Sequence, residues 1–259
     1  MPEFCQTERD GKLLIVTIDR PESMNALHAE ANVELDGVFD EFAQDEDLWV
    51  AIITGAGDRA FSAGNDLKAT VKNQGKLGVM AKHGFGGLTG RYDCHKPIIA
   101  AVNGVAMGGG FEIALACDLI VASERAVFAL PEPRVGLAAL AGGVHRLPRQ
   151  IGLKPAMGMI LTGRRVSAEE GLALGFVNEV VPHDEVMAAS RRWAEQILEC
   201  SPLSVRASKE CALEGLAHAD VAAAMDARYE GVSRLFKSED FLEGPRAFAE
   251  KRDPVWKGR

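Results

Sequence analysis

The feature that most constrains the fold is the segment 97–118, where an apolar run passes through three consecutive glycines into a helical pattern. The run at 98–102 predicts a buried strand, and the proline before it can only begin or edge one. The glycines at 108–110 let backbone amides approach another group closely, because no side chain stands in the way. A helix follows, with Glu112 in its first turn. A helix N-terminus presents N–H groups and the positive end of a dipole, so this order predicts a site for developing negative charge.

The composition excludes several classes of function. With a net charge of −8 the chain lacks the basic surface that nucleic acids require, so we expect no nucleic-acid partner. No apolar run approaches the ~18 residues of a membrane span, and residues 1–12 hold no apolar signal core. The five cysteines form no CxxC pair, which argues against a disulfide framework or a zinc site. We therefore expect a cytoplasmic protein with no membrane contact and no metal.

Strand and helix patterns alternate along the chain as far as Pro182. Apolar runs predict strands at 13–19, 49–54, 98–102, 118–123, 126–130 and 176–181. Apolar spacing predicts helices at 24–44 behind an N-cap at Ser23, at 144–150, at 154–161 and after a capping box at Ser167. From 184 to 250 only helical periodicity remains. The pattern predicts an α/β core at 1–200 and a helical C-terminal oligomerisation region at 201–259.

Two further segments carry weaker indications. Residues 55–60 imitate a dinucleotide-binding fingerprint, but a loop with another glycine follows where that motif needs a helix, so we exclude a Rossmann fold. Residues 68–96 are irregular, and a loop of this length is usually functional or mobile. His83 and His95 lie in or beside it, and we interpret them as surface or loop histidines because no acid or nucleophile recurs at a fixed offset from them.

A second carboxylate gives Glu112 a possible partner. Glu132 stands between Pro131 and Pro133, which restrict the backbone and suit a group that must stay aimed. Taken singly, Glu132 fits an exposed turn and Glu112 fits a residue that complements the helix dipole. Together they could hold one water, one accepting its proton while the other protonates carbon. Motifs of serine hydrolases, zinc proteases and P-loop kinases are absent from the sequence. The residues thus predict an acid–base enzyme with an oxyanion hole.

Longer motifs resemble one family. FSAGNDLK at 61–68 and AAVNGVAMGGGFEIA at 100–114 strongly resemble the two signatures of the crotonase (enoyl-CoA hydratase/isomerase) superfamily. Shorter segments also fit this family, at 20–27, 128–132, 161–165 and 247–252. The resemblance covers nearly the whole chain. It implies an α/β fold with a crotonase-like ββα spiral core and a helical C-terminal region, assembled as a homotrimer or a dimer of trimers.

The resemblance also implies roles for individual residues. The backbone N–H groups of Asn65 and Gly109 would form the oxyanion hole, and Glu112 and Glu132 match both catalytic glutamates of the hydratases. Coenzyme A would enter as part of an acyl-CoA thioester substrate, with no separate cofactor. The residues expected to bind substrate or CoA are Ala26, Ala63, Gly64, Asn65, Asp66, Leu67, Lys68, Gly108, Phe248 and Lys251.

Both glutamates together favour hydration of a 2-enoyl-CoA, but alternatives remain open. Segments 128–132, 142–148 and 252–257 look closest to carnitinyl-CoA dehydratases, and an isomerase is a further possibility within the family. A non-catalytic acyl-CoA-binding or RNA-binding relative is the alternative from another class. Family members usually carry a proline before the Gly-Gly pair, whereas 137–141 reads LAALA, which leaves the substrate open. A quaternary ammonium would need aromatic or acidic neighbours, for which the candidates are Phe85, Tyr92 and Phe111.

Overall fold

The computed structural model describes residues 2–72 and 81–259. The strands are β1 (Cys5–Asp10), β2 (Leu13–Ile18), β3 (Val50–Gly55), β4 (Ala60–Ser62), β5 (Ile98–Val102), β6 (Val105–Met107), β7 (Leu119–Ser123), β8 (Val127–Ala129), β9 (Val166–Ser167) and β10 (Glu179–Val181). The α-helices are α1 (Ala29–Gln44), α2 (Leu67–Lys72), α3 (Gly109–Ala116), α4 (Gly143–Ile151), α5 (Leu153–Thr162), α6 (Ala168–Leu174), α7 (Val186–Leu198), α8 (Pro202–Gly215), α9 (Val221–Asp226), α10 (Glu230–Leu235) and α11 (Glu239–Glu250).

The strands form two sheets that are linked by consecutive strand pairs. One sheet has the order β1-β2-β3-β5-β7-β10, in which β1 is antiparallel to β2 and the other neighbours are parallel. The second sheet has the order β4-β6-β8-β9. The pairs β3–β4, β5–β6 and β7–β8 each give one strand to each sheet. This repetition is the ββα spiral of the crotonase fold, which confirms the expected fold class.

The central strands of the larger sheet, β2, β3 and β5, are buried on both faces, which explains their continuous apolar sequences. Ile15, Ile52 and Ile99 lie side by side on one face, in a hydrophobic cluster that includes residues of α7. The alternate positions, such as Val16 and Ile53, belong to the cluster that includes residues of α1 and α3. The helix α7 therefore covers the sheet on the side opposite α3.

One helix boundary differs from the prediction, and one strand of the larger sheet was missed. The first long helix begins at Ala29 with His28 as its N-cap, whose Nδ1 accepts the Ala31 amide at 3.1 Å, whereas we expected a start behind Ser23. The cause is that Met24 and Asn25 adopt positive φ values of 55°, which interrupts a helix. The strand β1 was not predicted at all. It lies at the edge of the sheet and exposes five of its six side chains, so it carries no apolar pattern.

After Pro182 the described chain contains helices and no strand, as the periodicity predicted. The division at residue 200 stays a prediction, as does the role of 201–259 in oligomerisation. The prediction that 68–96 is irregular was wrong at its start, because Leu67–Lys72 forms α2. Residues 73–80 lie outside the described residues, and 81–96 include one short 3₁₀ turn, Phe85–Gly87. Among the helices of the described residues, none has the length and apolar character needed to span a membrane.

Candidate active site

Two strand-to-helix junctions meet at the centre of the site. The segment that precedes α1 holds the loop after β4. Leu27 N donates to Gly64 O at 2.8 Å, and Asp66 N donates to Leu27 O at 3.0 Å. The second junction joins β6 to α3 through Gly108, whose φ of 53° favours glycine. The junctions are in close contact, since a Cβ added to Gly64 would lie 2.8 Å from the Gly109 nitrogen.

The backbone amides of Asn65 and Gly109 are both available to a ligand. Neither amide donates to an acceptor within residues 2–72 and 81–259. Both residues line the same cavity, which has a volume of about 610 Å³. The Gly109 amide is in the first turn of α3, where N–H groups have no partner inside the helix. The sequence reasoning paired these two amides, and the structure brings them to one cavity.

Glu112 points into this cavity from α3 and is only 3% exposed. Its Oε1 accepts a hydrogen bond from the Gly143 amide at 2.8 Å. Burial raises the pKa of Glu112 to about 7, and the nearby negative charge of Glu132 adds to the increase. The N–H groups of Gly143 and Ala141 and the positive charge of Arg146 oppose it. Glu112 therefore titrates near neutral pH, as a general acid or base must.

Glu132 lines the same cavity from a short 3₁₀ turn, Glu132–Val135, that begins after Pro131. Burial raises the pKa of this carboxyl as well. Its Oε1 lies beside Gly108, where an added Cβ would stand 2.8 Å away. Its Oε2 is buried and has no hydrogen-bond partner among the described residues. A buried oxygen without a partner is costly, so it is available to a water or a substrate atom.

The structure places only some of the residues expected to bind CoA at the cavity. Those that line the cavity are Ala63, Asn65, Asp66, Leu67 and Gly108. Arg20 links two of the expected positions, because it donates to the carbonyl oxygen of Ala26 and forms an ion pair with Asp66 at 3.3 Å. Ala26, Gly64 and Lys68 are near in sequence to lining residues but do not line the cavity themselves.

Phe248 and Lys251 are not brought to the cavity of this chain. Phe248 is 87% exposed on α11, and Lys251 is the C-cap of that helix. Their predicted role in CoA binding stays a prediction. Of the three aromatic candidates for a quaternary ammonium, Phe85 and Tyr92 line the cavity. Phe111 does not, because it is fully buried against Phe128 and Phe176 with ring centroids 5.1–5.2 Å apart.

Two further segments form most of the cavity's remaining wall, and sequence reasoning identified only part of each. One part is 135–142, which contributes Val135, Leu137, Ala138 and Leu140. The sequence indicated this part of the wall through 137–141, which lacks the proline usual in the family. It did not indicate that a backbone amide of this region, that of Ala141, stabilises the Glu112 carboxylate. The other part is 81–92, which includes Phe85 and Tyr92. The ring of Phe85 lies against Gly109, since a Cβ added there would be 2.7 Å from its Cζ.

The buried carboxyl of Glu112, the half-buried carboxyl of Glu132 and two available amides around one cavity define an acid–base enzyme that can stabilise an oxyanion. A family model described as "Enoyl-CoA hydratase/isomerase" matches residues 8–259. The chain belongs to the enoyl-CoA hydratase/isomerase family and is an enzyme of the hydro-lyase type found there.

Individual relatives match this chain over nearly its full length and theirs. The chain is 46% identical over 265 residues to the carnitinyl-CoA dehydratase of Salmonella heidelberg (strain SL476), covering 100% of both chains. Its fold is similar to the crystal structure of an enoyl-CoA hydratase from Mycobacterium tuberculosis H37Rv, with a TM-score of 0.92, 38% identity and 99% of each chain covered. The enoyl-CoA hydratase EchA1 from Mycobacterium marinum gives a TM-score of 0.91 at 39% identity, again over 99% of each chain.

Proposed function

We propose that this enzyme adds water reversibly across the 2,3 double bond of a 2-enoyl-CoA thioester. The observation that carries this proposal is the convergence of Glu112, Glu132 and the amides of Asn65 and Gly109 on one cavity. Hydration needs one group to take a proton from water, one to give a proton to carbon, and a way to stabilise the enolate oxygen between the two events. The cavity contains a candidate for each task.

The two amides would bind the thioester oxygen. Negative charge develops on that oxygen as water attacks, and the Asn65 and Gly109 N–H groups would stabilise it together with the N-terminal dipole of α3. Loss of one such donor typically costs about 2.7–4 kcal/mol of transition-state stabilisation. Because both amides belong to packed backbone, they need no reorganisation during the reaction.

The surroundings of the two carboxyls support different roles. Backbone N–H groups of Gly143 and Ala141 stabilise Glu112 as a carboxylate, which suits the base that takes the proton of water. The water oxygen then bonds to the β-carbon. Burial without a donor at Oε2 favours the protonated form of Glu132, which suits the group that gives its proton to the α-carbon. The enolate electrons form the new carbon–hydrogen bond, and the reverse sequence gives dehydration.

The mechanism is tested with Glu112→Gln and Glu132→Gln. Each variant should lower kcat for hydration by about 10²–10⁴-fold, the usual contribution of one acid or base, while the dissociation constant of a saturated acyl-CoA stays within about threefold. Glu169→Gln is a matched control, because Glu169 is also in the first turn of a helix but is exposed on α6. Near-normal hydration by either active-site variant would contradict the mechanism.

A second candidate is the dehydration of carnitinyl-CoA, which the 46% identity to a carnitinyl-CoA dehydratase favours. The cavity offers this substrate the rings of Phe85 and Tyr92. However, the guanidinium carbon of Arg146 already lies 5.8 Å from the centroid of Tyr92 and would compete with a bound ammonium. Rates on straight-chain 2-enoyl-CoAs and on crotonobetainyl-CoA, followed at the ultraviolet band of the thioester, decide between the two.

The proposal includes a homotrimer or a dimer of trimers. Large apolar side chains on the C-terminal helices are exposed in the single chain, and their burial between copies would be favourable. These residues include Met225, Phe236, Leu242 and Phe248. Analytical ultracentrifugation showing a monomer would contradict it. We also include a cytoplasmic location, which the five free thiols support because a reducing compartment preserves them.

A further inference from the structure

One face of α1 anchors the segment 82–91 beside the active site. Asn32, Asp36 and Asp40 follow one another at i, i+4 spacing, which places their side chains in a row. The Asn32 Oδ1 accepts the Gly86 amide at 2.7 Å. One turn on, the Asp36 Oδ2 accepts the amide of Lys82 at 2.7 Å. These two bonds fix the segment to successive turns of α1, through side chains on one face of that helix.

Arg91 is the centre of this arrangement. Its side chain is only 2% exposed. Its Nη2 donates to Asp36 Oδ1 and its Nη1 to Asp40 Oδ1, both at 2.8 Å. Its Nε donates to the carbonyl oxygen of Gly87 at 2.8 Å. A guanidinium that bridges two carboxylates and a backbone carbonyl holds all three in a defined geometry.

His83, which we expected to be a surface or loop histidine, belongs to the same buried cluster. It lies in the loop as expected but is only 6% exposed, and its Nδ1 lies 2.8 Å from Asp36 Oδ1. Asp36, Asp40 and His83 could also be considered as metal ligands. Arg91 already provides the positive charge between the two carboxylates, so the arrangement is that of an ion cluster. We call Asp36, Asp40, His83 and Arg91 the α1 ion cluster.

The anchored segment contacts both the Gly109 end of the proposed site and the helix α4 that holds Glu112. Its Phe85 ring lies against the Cα of Gly109, whose amide is half of the proposed oxyanion hole. The Phe85 amide donates to Thr89 Oγ1 at 2.8 Å, which fixes the turn that presents the ring. The Thr89 carbonyl oxygen accepts from Arg146 of α4 at 2.9 Å. The helix α4 begins at Gly143, whose amide donates to Glu112. The segment therefore links the Gly109 end of the site to the end that holds Glu112.

We propose that Asp36 and Arg91 are positioning residues for the oxyanion hole. By fixing the segment 82–91, the α1 ion cluster presses Phe85 against Gly109 and keeps the N-terminus of α3 in register with the thioester oxygen. This inference rests on the proposed function, because it assigns the Gly109 amide to that oxygen. A displacement of ~1 Å in such a site can cost about 10²-fold in rate, even when the altered residue lies away from the chemistry.

The experiment compares Arg91→Gln with Arg191→Gln. Arg191 also bridges two carboxylates, Glu8 and Asp10, at 2.9 and 2.7 Å, but it lies on α7 away from the cavity. Arg91→Gln should lower kcat by about tenfold or more with KM changed by less than about twofold. The infrared carbonyl band of bound butyryl-CoA should also shift less from its position in water, because the oxyanion amides polarise it less. Arg191→Gln should match the wild type in all three measurements.

Phe85→Leu keeps the whole α1 ion cluster and removes only the ring, so it tests the same inference if Arg91→Gln does not fold. It should show the same reduced kcat and smaller carbonyl shift. A folded Arg91→Gln or Phe85→Leu protein with the kcat and carbonyl band of the control would overturn the inference. Failure of the proposed function looks different, since wild-type enzyme would then show neither turnover of 2-enoyl-CoAs nor a shifted band.

Discussion

The oxyanion side and the carboxylate side of the cavity are built in different ways. On the oxyanion side, packed backbone does the positioning, and a Cβ on Gly110 would overlap the carbonyl oxygen of Ser62. On the carboxylate side, a Cβ on Gly143 would approach Glu112 Cγ at 3.1 Å, a contact that a side chain can relieve. The difference implies that charge stabilisation is fixed by the fold, whereas proton transfer and substrate choice depend on adjustable side chains.

Among the variants that test this comparison, the largest effect is expected from a methyl group added on the oxyanion side, where the backbone is packed more tightly. Gly110→Ala forces β4 away from α3, and overpacking of this kind costs about 1–3 kcal/mol of unfolding free energy. It should also lower kcat by about 10²-fold, because both amides move. Gly143→Ala is the matched variant and should stay within about tenfold of the wild type. Urea unfolding and steady-state hydration rates measure both effects, and a greater loss in Gly143→Ala would break the comparison.

The next prediction concerns the unfolding free energy that the protein loses when the buried carboxyl of Glu112 is ionised. Its pKa is about 7 in the folded chain against an ordinary 4.5, so the folded state binds the proton more strongly. The resulting stabilisation is complete below the unfolded pKa and is lost as pH rises through 7. At pH 8 the variant Glu112→Gln should therefore exceed the wild type by about 3 kcal/mol in unfolding free energy, and at pH 4 the two should agree.

Urea unfolding at both pH values measures this difference. An equal gain at pH 4 and pH 8 would show that the variant stabilises the fold by packing and not through its lost charge. A gain confined to high pH would show that the wild type gives up stability for an acid–base group, as active sites often do.

The parts of this molecule that sequence could predict are those with local patterns. The buried strands are uniformly apolar because both faces of the larger sheet are covered, and the glycines at 108–110 mark the close junction directly. Glu132 was found because prolines flank it. Each of these features is complete within a few consecutive residues, so it leaves a recognisable local pattern.

The parts that could not be predicted depend on distant pairs. Arg91 and Asp36 are separated by 55 positions, and neither belongs to a periodic pattern that indicates the other. The Gly143 amide that holds Glu112 is 31 positions away from it. In the edge strand β1, five of the six side chains are exposed, and the strand joins the sheet by pairing with β2. Such contacts follow from the assembled fold, and the sequence of one chain does not show them.

A smaller effect is expected from removing the positive charge of Arg146, which acts on Glu112 on the carboxylate side. Arg146 lowers the pKa of Glu112 through its positive charge, so Arg146→Gln should raise that pKa. Glu112 must be unprotonated to accept the proton of water, and kcat/KM falls as pH drops below its pKa. The acid limb of the kcat/KM profile should therefore move to higher pH, with a loss of less than about tenfold at neutral pH. Arg149→Gln, an exposed arginine on the same helix, should leave the profile unchanged.

The smallest effect is expected where the carboxylate side opens to solvent. Leu140 lines the cavity but is 75% exposed, so Leu140→Ala should change the unfolding free energy by less than about 0.5 kcal/mol. It removes apolar surface that a long acyl chain would cover, so KM for 2-decenoyl-CoA should rise by about two- to fivefold while KM for crotonyl-CoA and both kcat values stay constant. Leu161→Ala is the control, because Leu161 is similarly exposed, at 66%, but lies outside the cavity. An equal rise in KM for both substrates would mean that 135–142 acts on the thioester end, and that substrate length is read elsewhere in the cavity.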